Sequence, residues 1–140
     1  MQSTTLVIGG CRSGKSRHAL ALAEQVAGDR MIFMATCVPH DGEMRDRIAR
    51  HQAERGRSWQ TLEVPIELPD KILAESRQAD VILVDCLTLW VSNLLMEDTD
   101  LDLIEQRARD LSAALERVRC PLILVTNEAV SYTHLTLPTN

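Results

Sequence analysis

The chain has 140 residues, 45% of them hydrophobic and 25% charged, proportions that suit one globular domain able to bury a core. A formal net charge of −5 argues against a broad nucleic-acid surface. The apolar runs are about four to six residues, far below the roughly 20 that span a bilayer; no membrane span and no signal peptide before Leu6 are expected, and the expected compartment is the cytoplasm.

Thr4-Thr5-Leu6-Val7-Ile8 is a short strand candidate, and Gly9-Gly10-Cys11-Arg12-Ser13-Gly14-Lys15-Ser16 follows it at once, fitting G-x-x-x-x-G-K-[ST]. Such a loop curls so that successive N–H groups point inward at phosphate oxygens. Lys15 is placed to reach the β/γ-phosphates, and the Ser16 hydroxyl to ligate Mg²⁺. Arg17-His18-Ala19-Leu20-Ala21-Leu22-Ala23-Glu24 is a good helix former, so phosphates would sit at a helix N-terminus. A glycine turn would match the letters of the motif, but not the strand before it and the helix after it.

Beyond this helix, short apolar runs alternate with longer amphipathic ones. Strands are expected over Met31 to Ala35, Trp59 to Val64, Val81 to Val84 and Leu122 to Thr126, and helices over 42–56, 67–78 and 100–118. Val81-Ile82-Leu83-Val84 and Leu122-Ile123-Leu124-Val125 are apolar at every position, as parallel strands covered on both faces must be. The fold class is α/β, and ligands gather at the C-terminal ends of its strands. Thr36, Glu63, Asp85 and Thr126-Asn127-Glu128 stand at those ends. An aspartate after a strand is commonly a turn or cap residue; beside a phosphate loop, Asp85 reads as the carboxylate that holds Mg²⁺ directly or through water.

Arg45 to Arg57 holds five arginines against Asp46 and Glu54, a local excess of three positive charges in an acidic protein. On a helix Arg47, His51 and Arg55 share one face, with Met44 and Ile48 on the neighbouring apolar stripe. Spacing alone reads as a solvated Arg/Glu face. Two arginines beside a histidine would also suit an anionic phosphoryl group and favour a neutral, nucleophilic imidazole.

The four cysteines, Cys11, Cys37, Cys86 and Cys120, lie far apart without zinc-ligand spacing and read as reduced thiols, filler rather than chemistry. Trp90 and Asn93 lie one turn apart on a helix just beyond Asp85. The indole could stack on a flat ligand, but with aromatics at 3% of the chain, packing into the core is the expectation.

Taken together, several of these segments resemble the bifunctional adenosylcobinamide kinase and adenosylcobinamide-phosphate guanylyltransferase family of cobalamin biosynthesis. The resemblance rests on the loop from Gly9 to Arg17, Ala35-Thr36, Glu43-Met44 with Arg47-Ile48 and His51, Trp59 to Glu63, Asp85 to Leu95, and Val125 to Glu128. It implies a RecA-like P-loop fold, a homotrimer, ATP or GTP as substrates with Mg²⁺, and two reactions on a corrinoid, adenosylcobinamide. The corrinoid's aminopropanol hydroxyl is phosphorylated first. His51 then attacks the α-phosphate of GTP, expels pyrophosphate and passes GMP to the corrinoid phosphate, giving adenosylcobinamide-GDP. Histidine suits such a double displacement because it is both a nucleophile and a good leaving group.

The same resemblance makes His51 and Lys15 catalytic candidates, and Ser16 and Asp85 the metal candidates. It adds Ala35, Thr36, Cys37, Gln52, Ala53, Glu54, Arg55, Glu63 and Asp85 to the loop residues Gly9 to Ser16 as nucleotide-binding candidates. Residues 1–130 are read as the kinase and guanylyltransferase domain, incomplete at its C-terminus. Ser131 to Asn140 departs from the family and resembles translated sequencing-adapter read-through, so 131–140 is expected to be a non-native tail in which His134 is no site. A missing helix and edge strand would leave apolar sheet surface uncovered, to the detriment of stability or trimer assembly. Two other readings stay open: a P-loop kinase for another small alcohol without guanylyl transfer, and a nucleotide-binding module that catalyses nothing.

Overall fold

The five expected strands and four of the expected helices, those at 17–24, 67–78, just beyond Asp85 and at 100–118, appear in the structure, a computed structural model that describes residues 4–10, 14–26, 28–38, 42, 46, 59–98 and 100–127. In chain order the elements are β1 (Thr4–Gly9), α1 (Lys15–Glu24), β2 (Met31–Ala35), β3 (Trp59–Glu63), α2 (Leu68–Ser76), β4 (Val81–Asp85), α3 (Leu87–Glu97), α4 (Leu101–Arg117) and β5 (Leu122–Asn127). The helix expected over 42–56 lies outside the described residues except for Gly42 and Asp46, which are helical.

The five strands form one sheet in the order β1-β5-β4-β2-β3, and every pairing is parallel. This explains the unbroken apolar runs. Val81, Ile82, Leu83 and Val84 of β4 are fully buried, because β4 lies in the middle of the sheet with helices over both faces. Strand parity splits the core in two. Ile32, Met34, Ile82, Val84, Leu122 and Leu124 pack with Leu68 and Ile72 of α2 and Trp90 and Leu94 of α3, with Ile104, Leu111 and Leu115 of α4 against them. Val7, Phe33, Val81, Leu83, Ile123 and Val125 point the other way, onto Ala19 and Ala23 of α1. Both alanines are wholly buried, and their small side chains let α1 lie close over β1, β5 and β4.

Local chemistry sets the helix starts. Pro69 and Asp70 fill the first turn of α2, where a missing N–H costs nothing and a negative charge meets the helix dipole. Asp100 caps α4 by accepting from the Asp102 amide at 3.0 Å. At the β1 edge, Leu6 and Ile8 are 51% and 60% exposed, an uncovered apolar strip beside β5. Among the described residues, no helix is long and apolar enough to cross a membrane.

Candidate nucleotide and phosphoryl-transfer site

Parallel pairing brings the polar strand ends level at one edge. Gly9 is in register with Asn127, Val125 with Asp85, Asp85 with Ala35, and Ala35 with Glu63. The expected clustering of sequence-distant candidates is therefore a direct product of the sheet.

Gly14 takes the left-handed conformation, φ 78° and ψ 15°, and forms the N-cap of α1 with no side-chain cap. Glycine alone occupies that region without strain. Gly14 offers the first N–H groups of α1 no capping side chain, and donors at a helix start of that kind receive anions. Lys15 Nζ donates to the Gly10 carbonyl at 3.1 Å, so its ammonium reaches back to the residue after β1. In the next position, the Ser16 hydroxyl donates to Asp85 Oδ2 at 3.0 Å, across 69 residues of sequence.

These two hard oxygen donors fit Mg²⁺, which takes one or two protein oxygens and completes its octahedron with phosphate and water. Ser16 and Asp85 are the side chains that would hold it. Asp85 is partly buried, and its reach to Ser16 requires α1 to stand over β4 as well as β1.

The remaining candidates divide. Ala35 ends β2, Cys37 lies two residues beyond it, and Glu63 ends β3 and lines a cavity of about 660 Å³ together with Val64, Pro65, Ile66, Glu67 and Glu97 among others. Thr36, named above as a nucleotide-binding candidate, has its own polar groups bonded within the protein. It is fully buried, and its hydroxyl accepts from the Cys86 amide at 2.8 Å and donates to the Cys86 carbonyl at 2.7 Å. Its own amide donates to the Asp85 carbonyl at 3.1 Å, and its carbonyl accepts from Asn93 Nδ2 at 2.7 Å. Every polar group of Thr36 is thus engaged inside the protein. Cys11, Arg12, Ser13, His51, Gln52, Ala53, Glu54 and Arg55 lie outside the described residues.

Trp90 is 2% exposed, and its indole N–H donates to the Ile66 carbonyl at 2.7 Å, so it is a core residue as its sequence context indicated. Asn93, named beside Trp90 but given no role there, and Thr88 support the site. Asn93 Nδ2 also reaches the Pro65 carbonyl at 3.1 Å. Thr88 Oγ1 accepts from the Asn127 amide at 2.9 Å and lies 3.1 Å from Thr126 Oγ1, pinning the start of α3 to the end of β5. Their partners lie 28 to 57 positions away, and no local pattern signals that.

Three of the four thiols, those of Cys37, Cys86 and Cys120, lie among the described residues. Burial, reinforced by Asp85 and then Glu63, pushes Cys37 up; burial is likewise the first cause for Cys86. Burial with Asp80 nearby pushes Cys120 up to about 11. All three favour the neutral form, in keeping with the filler role read from sequence.

Residues 5–134 match the family model described as CobU: Cobinamide kinase / cobinamide phosphate guanyltransferase, a match that reaches four residues into the segment read as a tail. The chain is 42% identical over 123 residues to the bifunctional adenosylcobalamin biosynthesis protein CobP of Pseudomonas aeruginosa, covering 88% of this chain and 70% of that protein. It is 37% identical over 135 residues to the corresponding protein CobU of Escherichia coli and 38% identical over 135 residues to that of Salmonella typhimurium, covering 88% of this chain and 74% of each. Among solved structures, a KaiC-like protein from Pyrococcus horikoshii superposes with a TM-score of 0.54 at 16% identity, covering 90% of this chain and 61% of that one. That likeness shows the RecA-like fold alone.

Proposed function

The chain belongs to the cobinamide kinase / cobinamide phosphate guanyltransferase family, and we propose that it carries both activities, on one nucleotide site at the C-terminal edge of its sheet. The observation that best supports this is the Ser16–Asp85 hydrogen bond of 3.0 Å beside Lys15, which assembles a phosphate loop and a strand-end carboxylate into one cluster.

In the kinase reaction, the donor is ATP or GTP and the acceptor is the aminopropanol hydroxyl of adenosylcobinamide. The amides of the loop from Gly9 to Ser16 cradle the phosphates. Lys15 leaves the Gly10 carbonyl and turns onto the β/γ-oxygens, so that its charge meets the negative charge that builds there during transfer. Mg²⁺, held by Ser16 and Asp85, would supply further neutralisation of the phosphate oxygens when bound. In the second reaction, the neutral imidazole of His51 forms a bond to the α-phosphorus of GTP as the bond to pyrophosphate breaks. An oxygen of the corrinoid phosphate then attacks the same phosphorus, breaks the P–N bond and restores the imidazole. Gln52 to Arg55 and Glu63 position the guanosine half, with the backbone of Ala35 and Cys37 beside it. The working form is a cytoplasmic homotrimer.

Intact-mass measurement after incubation with Mg-GTP tests this. The expected result is a GMP-sized adduct on the chain that is lost in His51→Ala, while His51→Ala still phosphorylates adenosylcobinamide and Lys15→Ala loses both activities. Equal loss of both activities in folded His51→Ala protein refutes a dedicated nucleophile. Phosphorylation with no adduct in the unaltered chain leaves a kinase of the same fold and removes the transferase.

A further inference from the structure

The Asp85 carboxylate is held by more than its own strand. Directly after β4 the chain turns into α3, and three tethers fix this turn. The Thr36 hydroxyl grips both backbone polar groups of Cys86, accepting from its N–H at 2.8 Å and donating to its carbonyl at 2.7 Å, and the Thr36 amide grips the Asp85 carbonyl at 3.1 Å. Thr36 is itself held from behind. The Asn93 amide, one and a half turns into α3, donates to the carbonyls of Thr36 and Pro65 at 2.7 and 3.1 Å. A single side chain of α3 therefore ties the exits of β2 and β3, and Thr36 passes that constraint to the exit of β4.

We infer that Thr36 and Asn93 are positioning residues that hold the Asp85 carboxylate against Ser16, and so set how strongly nucleotide binding depends on the divalent cation. This rests on the reading of Ser16 and Asp85 as the cation-holding pair. Neither residue touches the cation or the phosphates. Thr36 is fully buried with all its polar groups taken, and both amide hydrogens of Asn93 are spent on backbone carbonyls. Their effect travels through the direction in which Asp85 leaves β4. Such supporting hydrogen bonds commonly govern metal affinity by one to two orders of magnitude, because a ligand aimed wrongly binds as if diluted.

The experiment measures the affinity of a fluorescent GTP analogue, without turnover, in Mg²⁺ and in EDTA. Thr36→Val keeps the shape and removes the hydroxyl; Thr36→Ser keeps the hydroxyl; Asn93→Asp keeps the shape and replaces the two donors with an acceptor. Thr36→Val is expected to reduce the Mg²⁺-dependent gain in affinity by about tenfold, with affinity in EDTA within about twofold of the unaltered chain and Thr36→Ser restoring most of the gain. Asn93→Asp, on the half-buried side of α3, is expected to lose the gain in the same selective way, which decides the matter should Thr36→Val fail to fold. A full Mg²⁺ gain surviving in both Thr36→Val and Asn93→Asp overturns the inference. So does an equal loss with and without Mg²⁺, which would make Thr36 a nucleotide contact. An unaltered chain with no Mg²⁺ gain at all overturns the cation reading of Ser16 and Asp85, and this inference with it.

Discussion

Replacing Trp90 by phenylalanine separates a structural from a substrate-stacking role for a large aromatic ring near the C-terminal end of β4. The indole is 2% exposed and donates to the Ile66 carbonyl at 2.7 Å. Phenylalanine leaves that carbonyl without its partner, at a cost of about 1–3 kcal/mol. It also removes roughly 40 Å³ of ring volume from a core that includes Ile82, Val84 and Leu94, adding about 1 kcal/mol. The sum is roughly 2–4 kcal/mol, or a fall of roughly 8–16 °C in the unfolding midpoint for a chain of this size. Thermal unfolding reads the first effect. Kinase assays run well below the midpoint should give a KM for adenosylcobinamide within about twofold of the unaltered chain, since a buried ring contributes no uniform binding to a substrate. An unchanged midpoint with a KM raised about tenfold would refute the reasoning, because it would require an exposed indole in contact with the corrinoid.

The two left-handed glycines separate strain from crowding. Among the described residues, a Cβ at Gly14 meets nothing within 4 Å, so Gly14→Ala is expected to cost about 1–2 kcal/mol from backbone conformation; urea unfolding measures it. At Gly28, with φ +140°, a Cβ would overlap the Asp80 side chain, whose Oδ2 accepts from the Arg30 amide at 3.0 Å. Gly28→Ala should therefore cost more than Gly14→Ala, beyond the roughly 1–3 kcal/mol of a glycine-only conformation, and equal costs would refute the distinction. The Cys120 thiol, pushed up to about 11 from its ordinary 9.0, binds its proton more tightly in the folded chain than in the unfolded one. Its contribution is complete below pH 9 and is lost as pH rises towards 11, so Cys120→Ala should flatten the alkaline fall of stability in that window.

Most of the fold was legible because its determinants are local. Val81 to Val84 admits no polar face, so a doubly covered parallel strand is the solution, and the loop from Gly9 to Ser16 carries its own strand and helix as context. Strand order was not legible, since β1 pairs with β5 across more than a hundred residues and no local signal fixes that choice. The site shows the same divide. Asp85 could be read from an aspartate after four apolar residues beside a phosphate loop. Thr36 could not, because a hydroxyl at a strand end looks the same whether it faces a ligand or a buried peptide unit. What settles its part is the Cys86 peptide, 50 positions away.

The strand order also explains why this arrangement requires a small-faced first helix. β5 stands between β1, which feeds the phosphate loop, and β4, which carries Asp85. Two inter-strand spacings make a gap of roughly 10 Å between the strand that presents the phosphates and the strand that presents the carboxylate. Ser16, in the first turn of α1, closes that gap and reaches Asp85 at 3.0 Å. A helix crossing β1, β5 and β4 must lie low on the sheet, and Ala19 and Ala23, one turn apart and both with no exposed surface, provide the flat contact. Larger side chains there would lift α1 and draw Ser16 away from Asp85. The packing face of α1 and the chemistry at its N-terminus are therefore one design, read in two directions along the same helix.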